Sequence, residues 1–97
     1  MRSKDERIYE RMTELSWRMA RFMEKSDPDG FRDSLGAGES VEEGVRAAAN
    51  RMYGLLVMGR YDEAIGAVYD PDETCERCRK ASEKLVKEIN AVRKMRS

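Results

Sequence analysis

The chain predicts an all-α fold, a small bundle of three main helices plus a short fourth, with long helices at both ends. Three observations predict it. Apolar residues recur at alternating steps of four and three through three long segments, which is the spacing of a helix seam. A Ser-x-x-Glu capping box precedes the first two segments, and Asp70-Pro71-Asp72-Glu73 precedes the third. Neither proline interrupts a segment. All 97 residues are expected to form a single domain with one modest core.

The first helix is expected over residues 4–25. Ser3-Lys4-Asp5-Glu6 opens it, the Ser3 hydroxyl accepting from the Glu6 amide while Glu6 reaches back. Ile8, Met12, Leu15, Met19 and Phe22 form its seam. At about 100° per residue, Arg7, Glu10, Arg11, Glu14, Arg18, Arg21 and Lys25 share one polar arc. The rest of the circumference also carries Tyr9, Thr13, Trp17, Ala20 and Met23, more face than one neighbour covers. These five are the interface candidates, because a Trp left in water forfeits a burial of ~150–250 Å². The alternative is a central helix, wrapped on the Trp17 side by Phe31, Leu35 and the third helix.

Residues 26–39 read as a loop. Asp27-Pro28-Asp29-Gly30 is turn chemistry and Gly36-Ala37-Gly38 is flexible, while Phe31 and Leu35 are spaced for one helical turn that lids the core. Ser40-Val41-Glu42-Glu43 then caps a second helix over residues 41–58. Its seam is Val41, Val45, Ala48, Met52 and Leu55, and it ends near Gly59. The short third helix, residues 60–69, buries Tyr61, Ala64, Ile65 and Val68 and makes a hairpin with the second.

Gly59, Tyr61 and Ala64 resemble the mid-repeat turn of a tetratricopeptide repeat. In that family a glycine closes one helix, an aromatic packs into the hairpin and a small residue sits at the crossing. The resemblance covers about a dozen residues and no second copy follows, whereas repeat arrays need about three. It implies a local hairpin geometry.

The fourth helix is expected over residues 71–96, with Asp70 as N-cap, Pro71 at N1 and Glu73 at N3. Its seam reads Cys75, Cys78, Ser82, Leu85, Ile89, Val92.

Nineteen basic and 19 acidic residues balance, so no net charge draws the chain to nucleic acid or an anionic membrane. The longest apolar run, Leu55-Leu56-Val57-Met58, is far short of the ~18 residues of a bilayer span, and no apolar leader precedes the first helix. Two cysteines without other secretory signs suit a reducing compartment, so the expected location is the cytoplasm. Glutamine is absent and asparagine occurs only at Asn50 and Asn90, a lean toward thermophile composition.

No histidine occurs, which removes the usual catalytic base, the usual nitrogen metal ligand and any nucleophilic triad. Glu39 and Glu42 have the E-x-x-E spacing of the all-helical nucleotide pyrophosphohydrolases, but no E-x-x-D follows. A calcium loop aligned on Gly30 would put Lys25 and Gly36 where carboxylates are required.

Cys75 and Cys78, spaced C-x-x-C, leave three readings open: two small buried thiols, a redox pair at a helix N-terminus, or half of a metal site. Structural zinc wants four ligands, so the metal arrangements offered are a zinc ion shared between chains or one completed by Asp72 or Glu76 with water. No other cofactor is implied. The expected function is a non-enzymatic helical interaction or assembly module, pairing with itself or with another helical protein. Its rivals are a thiol- or metal-dependent regulator using Cys75 and Cys78, and a nucleic-acid-associated factor using the cations of the last helix.

Overall fold

Ser3 accepts the Glu6 N–H at 3.2 Å and so starts α1 (Lys4–Ser26) in the computed structural model, which describes residues 3–97. Asp27 ends α1 and caps the next helix, its carboxylate accepting the Gly30 N–H at 3.1 Å. That helix is α2 (Pro28–Asp33), the lid turn expected within the loop. Ser40 accepts the Glu43 N–H at 3.2 Å and opens α3 (Val41–Val57).

Gly59, with φ of 76°, closes α3 in the left-handed region, where a side chain would be strained. The Arg60 N–H reaches Leu55 O at 2.8 Å and the Gly59 N–H reaches Leu56 O at 3.1 Å, the paired bonds of a Schellman cap. The chain reverses at once into α4 (Tyr61–Val68), with Ala64 wholly buried at the crossing. The last helix is α5 (Glu76–Arg96). The described residues thus form five α-helices and no strand, the all-α bundle expected. No helix among them is long and apolar enough to cross a membrane.

α1 is the central helix, packed most extensively on α3 and also touching α2, α4 and α5. This explains its wide apolar arc, because the arc serves two separate clusters. Ile8, Met12, Leu15 and Met19 join Met52, Leu56, Ala64, Val68, Leu85, Ile89 and Val92 in the larger one. Ala20 joins Phe31, Val45, Ala48 and Ala49 in the smaller, with Trp17, Leu35 and Val41 packed against it. α3 likewise faces both, so its deepest C-terminal residue is Leu56 and not Leu55, which is half-buried. Between bundle ends, Arg18 pairs with Glu88 across α1 and α5, and Arg96 donates to Leu56 O at 2.7 Å and to Tyr61 Oη at 3.0 Å.

The start of α5 departs from the expectation. Asp70-Pro71-Asp72-Glu73 is a turn, not a first helical turn: Asp70 spends its carboxylate on the Asp72 N–H at 2.9 Å, and the Glu73 N–H reaches Asp70 O at 3.2 Å. The reason lies farther along. Ser82, buried, donates its hydroxyl to Val68 O at 2.8 Å and ties the end of α4 to the side of α5. A helix begun at residue 71 would carry Ser82 roughly 17 Å along its axis from that start, at about 1.5 Å per residue. Starting at Glu76 cuts that to about 9 Å. The intervening segment can then fold back.

Candidate functional site

Delaying α5 moves both cysteines. Cys75 becomes the N-cap in extended conformation (φ −73°, ψ 113°), and Cys78 becomes the third residue of the helix. Cys75 Sγ accepts the Cys78 N–H at 3.3 Å, taking the place that a serine oxygen holds at the heads of α1 and α3. Glu73, which no longer serves as a helix residue, turns its Oε1 back onto the Cys75 N–H at 2.8 Å. Both thiols are free, Cys75 exposed and Cys78 half-exposed. They are not the buried small hydrophobes that the seam reading allowed, because the seam begins only at Ser82.

The pair is electronically unequal. The Cys78 thiol and then the Cys78 N–H donate to Cys75 and hold its thiol below the ordinary range, against an opposing pull from Glu73. Cys78 is pushed up, first because its proton is engaged by the Cys75 sulfur and then by desolvation. A nucleophilic thiol of lowered pKa beside one that keeps its proton is the division of labour of a dithiol couple.

Two clefts meet at the thiols. One, of about 380 Å³, runs between the ends of α1 and α4 and the side of α5, and touches Cys78. The other, of about 290 Å³, lies between α1 and the head of α5 and touches both cysteines. Among the described residues no group of three or more Cys, Asp or Glu side chains is arranged to hold a metal ion.

The interface candidates of α1 are scattered. Ala20 has no accessible surface, Trp17 is half-buried against the smaller cluster, and Met23 is half-buried against the larger. Only Tyr9 and Thr13 are exposed, and the Thr13 hydroxyl is turned inward onto Tyr9 O at 2.9 Å. The outer face of Trp17 is covered by the Arg21 guanidinium, 5.9 Å from the ring centroid, which in turn reaches Glu42 at 3.6 Å.

The cations of α5 are partly engaged: Lys80 with Glu76 at 3.7 Å, Arg93 with Asp62 at 3.7 Å and over the Tyr61 ring, Arg96 at the end of α3. Sequence reasoning missed a patch between α4 and α5, where Ile65, Tyr69 and Val86 line an apolar cleft of about 340 Å³. Its sequence signal was Val86, an apolar position beside the seam; Ile65, expected buried, is half-buried at the cleft. Compared with models of protein families, with curated proteins and with solved structures, the chain matches none of them.

Proposed function

We propose that this chain is a thiol-dependent regulator whose switching element is the Cys75–Cys78 pair. The observation that carries the reading is the N-cap geometry, with an accessible Cys75 sulfur that accepts the Cys78 N–H at 3.3 Å. An N-cap residue and the residue three on lie about one turn apart, within the ~4.4–6.8 Å Cα separation that a disulfide needs. The Cys75 thiolate is the attacking group. Cys78 resolves the resulting mixed disulfide and closes the bond within the chain.

Mass-spectrometric alkylation at a series of pH values tests this. Cys75 is expected to label ahead of Cys78, and to hold its rate as pH falls below the ordinary thiol range, since a lowered pKa keeps the thiolate populated there. Mild oxidation should remove two hydrogens without joining chains. Cys75→Ser keeps an oxygen at the cap, so the unfolding free energy read from urea titration should change by no more than about 0.5 kcal/mol while the disulfide is abolished. Equally slow labelling of both thiols overturns the reading. So does zinc at about half an equivalent per chain, which would assign a four-thiolate site shared by two copies.

A second reading, the helical assembly module, is favoured by the α4–α5 face. Tyr69 is 44% exposed there beside half-buried Ile65 and Val86, with Glu83 and Lys87 at the rim. A second copy laid antiparallel would set Glu83 of each chain near Lys87 of the other. Sedimentation of the parent and of Val86→Glu checks this, with an oligomer that becomes a folded monomer expected. A monomeric parent removes the reading.

A further inference from the structure

The two clefts at the thiols differ in charge. The larger carries Asp27, Asp70 and Glu73 against one cation, Arg79, and reaches only Cys78. The smaller opens on both Cys75 and Cys78, has Phe22 and Ala81 as apolar walls, and contains Lys25 and Arg77 with no carboxylate. Lys25 comes from the last turn of α1 and Arg77 from the head of α5, so the fold brings together two cations that are far apart in sequence. Neither has an ion-pair partner among the described residues. Of the neighbouring carboxylates, Asp27 accepts the Gly30 N–H, Glu73 accepts the Cys75 N–H, and Glu76 pairs with Lys80.

We propose that the smaller cleft receives an anionic low-molecular-weight disulfide, a molecule bearing carboxylates a few bonds from its sulfur, held by Lys25 and Arg77 while Cys75 attacks. The inference rests on the dithiol reading and names the partner class for it. Two unpaired cations over an apolar floor suit such a group, since methylenes lie on Phe22 and Ala81 and carboxylates meet the charges. A volume of about 290 Å³ takes one arm of the disulfide and leaves the other in solvent.

In the reaction, the Cys75 thiolate bonds to one sulfur of R–S–S–R and expels R–S⁻. Cys78 gives up its proton and attacks the Cys75 sulfur, expelling the second R–S⁻. The protein dithiol loses two electrons and two protons, and the small disulfide becomes two thiols.

Reduced protein treated separately with glutathione disulfide, which is anionic, and with cystamine, which is cationic, tests the proposal through the rate of internal disulfide formation. At low ionic strength glutathione disulfide should react about tenfold faster relative to its rate with a free model thiol, and added salt should narrow the gap. Lys25→Glu with Arg77→Glu, both at exposed positions, should invert the preference while leaving the helical spectrum intact. Lys25→Gln with Arg77→Gln should abolish it. Equal rates, or faster cystamine, with a disulfide formed in both cases overturn the partner class and leave the dithiol standing. No internal disulfide with either reagent overturns the dithiol reading and this inference with it.

Discussion

Trp17→Ala is expected to destabilise the protein by about 2–4 kcal/mol, below the full ~3–5 kcal/mol of a wholly buried aromatic because Trp17 keeps some surface. Its ring packs on the cluster of Ala20, Phe31, Val45, Ala48 and Ala49, and removing it opens one side of that cluster to solvent. It also strips Arg21 of its aromatic partner and loosens the Arg21–Glu42 contact between α1 and α3. Total stability of a domain this size is of the order of 5–15 kcal/mol, so the loss is a large fraction. Urea unfolding followed by helical signal reads the loss directly, and sedimentation of the same samples reads association. An unchanged midpoint with a fall from oligomer to monomer would return Trp17 to an intermolecular surface.

Gly44→Leu should cost about 1–3 kcal/mol by overpacking the same cluster from the other side. Gly44 is buried on α3 directly beneath the lid, where an added Cβ would stand 2.2 Å from Leu35 Cδ2 and 3.2 Å from Phe31 Cε1. Leu35 is half-buried and can rotate away from one methyl group. Gly44→Ala is therefore expected to stay within about 1 kcal/mol of the parent, the gain in helix propensity offsetting the adjustment. Leucine has no such escape, because Phe31 is pinned among Ala20, Val45 and Ala48. Limited proteolysis should then cut between residues 34 and 40 in Gly44→Leu before the parent. Equal protection would show that α2 is not seated on Gly44.

Local chemistry was legible at the heads of α1 and α3 and at the end of α3, though not at Asp70, whose carboxylate closes a turn instead of capping a helix. Ser3 and Ser40 cap as their spacing requires, Gly59 closes α3, and the chain reverses at Gly59 into the hairpin that carries Tyr61 and Ala64. Half of the candidate site was legible in the same way, since C-x-x-C near a helix start is a sequence pattern. Its exposure was not. The run from Cys75 to Val92 looks like one continuous seam, and only the Ser82–Val68 bond shows where that seam begins.

The amino-acid sequence by itself determined that this chain is helical, where most of its helices begin and end, and which residues form the polar face of α1. Those properties follow from capping and periodicity, which act over three to seven residues. The tertiary structure alone decided three things. It set α1 at the centre, so that its broad apolar arc is divided between two clusters within the chain. It delayed α5 by a turn and more, because a buried hydroxyl fourteen residues from its acceptor outweighs an exposed Asp-Pro start. And it placed Lys25 of α1 beside the thiols of α5, a juxtaposition across some fifty residues that no local rule encodes. Short-range hydrogen bonding selects the elements, whereas burial of apolar area and of unpaired polar atoms selects how they meet.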